Sequence, residues 1–209
     1  MSIADELARL FDFFGSLVCH QLRERTLFIG GRYLPVCARD TGAFLGLLIG
    51  YMLVFAFRRK EAKGPPNLYM ILGMTLPLVL DGFGQALGFW ASTNDVRLFT
   101  GFLFGAALAP MLVYALSLSS LKDMAVVKRF IPQDAVLDDE MSWLSAKALS
   151  LGVVISMALF AAVRLLDGSE NEFFYWIIST PIVSGIIAHF FILPVLLCSA
   201  YIKKLLSRH

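Results

Sequence analysis

Charge is scarce in this chain: Asp, Glu, Lys and Arg make up 16% of 209 residues, and the formal net charge is +2. No Lys/Arg-rich tract with interleaved aromatics compensates, so nucleic-acid binding is excluded as a function class. Cysteine and histidine are sparse as well, with three of each, and three cysteines cannot all pair within one chain. The opening residues, MSIADELARLF, lack the cationic start and apolar core of a secretory signal, so no cleavage is expected. Nothing reads as a second domain or as an internal repeat.

Apolar residues are abundant instead, at 58%, which argues against a soluble globular domain and for an integral membrane protein. Crossing an apolar core of about 30 Å takes about 20 mainly apolar helical residues. Five segments approach that standard: residues 41–57, 67–90, 97–118, 143–166 and 173–202. Ahead of them Ile3, Leu7, Leu10, Phe14 and Leu17 recur every three or four residues, with Asp5, Glu6, Arg9, Asp12 and Ser16 opposite. That pattern is an amphipathic helix, too polar to span and suited to the interface or to the side of the bundle. The expected fold is therefore all-α: one membrane domain of about five transmembrane helices, with residues 1–40 forming the amphipathic helix and a polar cap. Membrane lipids are its expected partners.

Gly42, Gly46 and Gly50 form a small-residue stripe in the first span, and Gly84 with Gly88 and Gly101 with Gly105 repeat the device, so the first three spans are expected to pack closely. All seven lysines fall in or beside the loops after spans one and three or after the last span, which makes those loops and the C-terminus cytoplasmic by the positive-inside rule. Seven arginines on the other side temper that bias. The run Asp138-Asp139-Glu140 reads as a solvated turn and helix start.

Residues 19–42 concentrate the reactive side chains. Cys19, His20, Cys37 and Asp40 offer sulfur, nitrogen and oxygen donors that zinc accepts, and the spacing of Cys37 and Asp40 places both on one helical face. The same cysteines would equally serve as packed thiols, as a disulfide in an oxidising compartment, or in thiol redox chemistry. Arg23, Arg25, Arg32 and Arg39 lie in this stretch, and Arg97 opens the third span on the same side. Converging guanidinium groups suit a phosphate or carboxylate, although interfacial arginines also meet lipid phosphates and neighbouring acids.

Asp81 and Gln85 sit one turn apart in the second span. A carboxylate inside a span marks a functional site by default, or a structural pair with an arginine of the cluster. His189, between Pro181 and Pro194 in the fifth span, suits a hydrogen bond to a neighbouring helix, or a proton relay shared with Asp81.

Cys19-His20, Arg25-Thr26-Leu27-Phe28-Ile29, Gly31, Leu34-Pro35-Val36-Cys37-Ala38-Arg39, Thr41-Gly42 and Gly46 form one block, and Asp81-Gly82, Gln85, Gly88, Asn94, Arg97, Thr100-Gly101 and Gly105 a second. Together they resemble an uncharacterised family of bacterial and archaeal predicted membrane proteins, over roughly residues 19–118. The family pattern carries a cysteine where this chain has Asp40. Disulfide cycling through that pair is thereby closed to this chain, while a metal site with one oxygen ligand is not. The resemblance implies a membrane fold and a shared polar site, and supplies no reaction.

The leading expectation is a membrane-embedded enzyme or lipid-handling protein with an outward pocket for an anionic substrate. Asp81, Gln85 and Arg97 would act in catalysis, Arg23, Arg25, Arg39 and Asn94 would hold the substrate, and any zinc would sit on Cys19, His20, Cys37 and Asp40. A proton-coupled transporter using Asp81 and His189, and a non-catalytic scaffold with a structural metal or disulfide, are the alternatives.

Overall fold

The computed structural model describes residues 2–57, 62–118, 138–142 and 144–206. Its first helix, α1 (Ile3–Ser16), opens with a capping box in which the Ser2 hydroxyl accepts from the Asp5 amide and the Asp5 carboxylate accepts from the Ser2 amide. Five helical runs long and apolar enough to span a membrane follow: α2 (Ala38–Phe57), α3 (Leu68–Ala86), α4 (Asn94–Leu118), α5 (Ala146–Leu166) and the continuous run Glu172–Ser199, which begins as α6 (Glu172–Ile187). The last continues through a π turn, Ala188–Ile192, into α7 (Leu193–Leu206). Pro194 brings no amide hydrogen to this region, and the wider turn just before it is where the regular hydrogen-bond ladder gives way.

The helix boundaries fall within a few residues of the sequence expectation, and each difference has a local cause. α3 stops at Ala86 rather than reaching Trp90, because Gly88 (φ 76°) takes a left-handed conformation and turns the chain back across the helix end. α5 starts at Ala146, where the Ser145 hydroxyl accepts from the Ala148 amide. The Asp138 to Ser142 backbone is an extended strand, not a helix start. It pairs in parallel with Ala62–Gly64. Three of the lysines that orient the chain, Lys60, Lys122 and Lys128, and Arg58, Arg59, Arg129 and Arg208 beside them in the same loops and C-terminus, lie outside the described residues.

α2 is the central helix, packed on α4 most extensively and also on α5 and α6. α2 and α4 run parallel at backbone contact. A Cβ on Gly42 would strike the Leu98 carbonyl, one on Gly46 the Phe102 carbonyl, and one on Gly105 the Ala43 carbonyl. The missing side chains thus let two main chains approach where lipid supplies no hydrophobic drive for association. Large apolar side chains on α3 such as Tyr69, Leu72, Leu76 and Phe83 face outward, as a lipid-facing surface requires.

One end of the bundle is capped by residues 17–37. Gly30 (φ 66°) and Gly31 (φ 74°) form the turn of a two-residue hairpin joining β1 (Phe28–Ile29) to β2 (Arg32–Tyr33). The hairpin is sewn to the α5–α6 connection: the Phe28 amide donates to Asp167 Oδ1 at 3.0 Å, and the Gly30 amide to the Ser169 carbonyl at 2.6 Å. Leu27, Ile29, Leu34 and Val36 are buried beneath it and join the cap to the hydrophobic core of the bundle. α1 docks on α6 and the π turn through Phe11 on Trp176 and Phe14 on Phe191, edge to face at 5.5 and 6.2 Å.

Candidate functional site

The cap end holds two neighbouring polar clusters and a separate cleft. The first cluster is centred on Asp81, which is 4% exposed near the end of α3. Arg39, in the first turn of α2, pairs with Asp81 Oδ2. The Ser92 hydroxyl donates to the same oxygen at 2.9 Å, and Trp90 Nε1 donates to Oδ1 at 3.5 Å. Ser92 and Trp90 belong to the loop that Gly88 turns back, and the Trp90 ring lies against Gly84, whose missing side chain makes room for it.

Arg97, in the first turn of α4, is 7% exposed. Its only side-chain hydrogen bond among the described residues goes to a neutral group, from Nη1 to Asn94 Oδ1 at 3.1 Å. Asn94 in turn donates to the Glu24 carbonyl at 3.2 Å, holding the cap against α4. Arg25 and Arg39 act on Arg97 as like charges, and Asp81, already paired with Arg39, opposes them. Arg39 Nε is buried with no hydrogen-bond partner among the described residues. The first cluster therefore contains three guanidinium groups, one carboxylate and an unused donor.

The second cluster lies at the residue preceding α2. The ligand atoms of Cys19, Cys37 and Asp40 lie within 4.8 Å of one another. The Cys37 amide donates to Cys19 Sγ at 3.2 Å, and the Cys37 thiol donates to Asp40 Oδ2 at 3.2 Å. Cys19 is held down to about 7, first by the neighbouring Cys37 side chain and then by the backbone amides of Gln21 and Cys37. Cys37 is pushed up, first by the neighbouring Cys19 sulfur, then by burial and by the Asp40 carboxylate. Both thiols are free. His20 is exposed and lies outside this group.

The cleft, of about 410 Å³, opens between α1 and the hairpin and is lined by Asp12, Gln21, Arg23, Thr26, Arg32 and Tyr175 among others. Arg32 Nη2 pairs with Asp5 Oδ1 at 2.6 Å, and Arg23 sits over the Tyr33 ring at 5.6 Å. The arginines of the cap are thus divided: Arg23 and Arg32 face the cleft, while Arg39 and Arg97 lie at the ends of α3 and α4 with Arg25 within electrostatic reach of Arg97. Gln85 makes no side-chain hydrogen bond among the described residues.

His189 belongs to neither cluster. Its Nε2 is 2.7 Å from the Tyr51 hydroxyl and its Nδ1 is 2.8 Å from the Gly185 carbonyl. Arg39 and Tyr51, which bind Asp81 and His189, lie twelve residues apart on α2, or about 18 Å along the helix. Sequence reasoning missed Tyr51, Trp90 and Ser92. The signal for the last two was Gly88, a glycine at a helix end that could reverse the chain over Asp81.

Five spanning helices, a lipid-facing exterior and a polar cap define a polytopic integral membrane protein. The chain belongs to the family described as Predicted membrane protein (DUF2085), whose match covers residues 19–111. That range contains Asp81, Arg97, the cap cysteines, α2, α3 and most of α4, and stops short of α5 to α7. An uncharacterised protein of Methanocaldococcus jannaschii is 39% identical over 92 residues, covering 43% of this chain and 58% of the relative. An uncharacterised protein of Methanothermobacter thermautotrophicus is 36% identical over 92 residues, covering 44% of this chain and 81% of the relative. No solved structure matches.

Proposed function

We propose that the protein binds a phosphate- or carboxylate-bearing anion at its cap end and acts on it as a membrane-embedded enzyme or lipid-handling protein. Arg25, Arg39 and Arg97 supply the binding charge, and the cap end faces outward with the C-terminus in the cytoplasm. The supporting observation is Arg97, a buried cation crowded by two others, whose side chain is hydrogen-bonded only to the neutral Asn94 among the described residues. Burying a charge without a matching partner is costly, so an anion arriving there gains both Coulombic attraction and vacant donors. In this reading Asp81 positions Arg39: Arg39, Ser92 and Trp90 already donate to its oxygens, which leaves little capacity for taking a proton.

Native mass spectrometry of the purified protein tests the proposal. Retention of anionic phospholipid by the wild type, lost in Arg97→Gln and kept in Arg23→Gln, is the expected result. Equal retention by the wild type and Arg97→Gln contradicts it for lipid, and failure of inorganic phosphate or pyrophosphate to raise the wild type's melting temperature contradicts it for soluble anions.

A further inference from the structure

The cysteine cluster carries an inference that does not rest on the anion-binding reading. Cys19 comes from the turn after α1, Cys37 from the residue before α2, and Asp40 from the first turn of α2, so two elements distant in sequence deliver donors to one point. Those donor atoms lie within 4.8 Å of one another. Around a tetrahedral zinc ion with bonds of about 2.3 Å to sulfur, ligand atoms stand about 3.8 Å apart. Closing that difference takes side-chain adjustment rather than refolding. The three side chains are partly buried, and Cys37 and Asp40 share one helical face. The Cys37 amide directed at Cys19 Sγ is a supporting hydrogen bond of the kind that orients a metal ligand. Two cysteines that only fill space have no need of a carboxylate 3.2 Å from one sulfur.

We infer that Cys19, Cys37 and Asp40 form a binding site for one divalent cation of the zinc class, with three protein ligands and a fourth position open to water or an anionic oxygen. Two sulfurs favour a borderline or soft ion over magnesium or calcium, while the carboxylate oxygen disfavours copper(I). Three protein ligands with an open position is the arrangement of reactive rather than purely structural zinc. Two thiolates and a carboxylate around a divalent ion leave one net negative charge, which the neighbouring arginines offset. Arg97 already lies within electrostatic reach of Cys37. His20, exposed and outside the cluster, has no part in the site.

The test is cobalt(II) loading of the full-length protein in detergent, read by absorbance and elemental analysis. One equivalent per chain and a thiolate-to-cobalt charge-transfer band are expected. Cys19→Ser and Cys37→Ser should each weaken the band and lower affinity beyond the about 10- to 100-fold that loss of a supporting contact costs, and the double variant should lose the band entirely. Asp40→Asn should weaken binding and keep the band, and His20→Ala should change neither. A second measurement needs no variant: bound cobalt should shield Cys19 and Cys37 from maleimide while Cys198 stays reactive. Absence of metal and band in the wild type overturns the inference, as does a band that survives in the double serine variant, equal maleimide labelling with and without cobalt, or a Cys19–Cys37 disulfide in protein purified without reductant. Because the readout is metal content, it can fail while the anion site stands, and the reverse.

Discussion

Arg39 at the start of α2 and Asp81 near the end of α3 form an ion pair inside the capped end of the bundle, with Asp81 almost wholly buried. The pair ties two spanning helices together, and Ser92 and Trp90 complete the ring of donors around the carboxylate. Removing one partner of a buried pair leaves the other charge uncompensated, which costs about 3–5 kcal/mol when both are fully buried. Arg39 is partly exposed, so Asp81→Asn is expected at the low end of that range, about 3 kcal/mol. Asp81→Asn combined with Arg39→Gln should cost clearly less than the sum of the single variants, as read by reversible unfolding in mixed micelles. Additive costs would show that the two side chains act independently.

Backbone contact between α2 and α4 makes a second expectation. Gly105→Ala places a methyl group against the Ala43 carbonyl and should destabilise by about 1–3 kcal/mol as the helices part. Gly82→Ala on α3, where a Cβ meets nothing within 4 Å, should be neutral or slightly stabilising through its better helix propensity. Melting temperatures of the two variants in one detergent decide the point.

The attachment of α1 depends on pH in a defined direction. Asp5 is lowered to about 2, first by its hydrogen bond with Arg32 and then by the Ser2 amide. A carboxylate depressed in the folded state stabilises it fully above its unfolded value of about 4, and the contribution fades as pH falls toward 2. Pepsin cleavage within α1 should therefore accelerate between pH 4 and 2 in the wild type, relative to a soluble reference substrate. Asp5→Asn should show the fast rate throughout that window.

How much of this could be read from sequence varied with the kind of signal. Helix existence was legible because Ile3, Leu7, Leu10 and Phe14 set a helical period and because long apolar runs have one structural solution in lipid. The stripe Gly42, Gly46 and Gly50 identified a close-packing face, though not that α4, running parallel to α2, would fill it. Asp81 announced itself by depth alone, and any arginine of the cap could have paired with it. Only the hairpin turn at Gly30 and Gly31 and the start of α2 select Arg39. Trp90, Ser92 and Tyr51 are ordinary residues for a membrane protein, and their roles arise from chain reversal and helix register that no local pattern encodes. Asp138 shows the opposite failure, where local helix-start chemistry yielded to strand pairing between two connections.

Arg97 is the residue on which the functional proposal turns, and anion-dependent stabilisation in a neutral detergent tests it most directly. Melting temperature is measured for wild type, Arg97→Lys and Arg97→Gln across titrations of pyrophosphate and, separately, of anionic phospholipid. A saturable rise for the wild type with at least one of the two anions, reduced in Arg97→Lys and absent in Arg97→Gln, is the expected result. Equal rises in all three proteins, or no rise with either anion in the wild type, would contradict an anion site at the cap end.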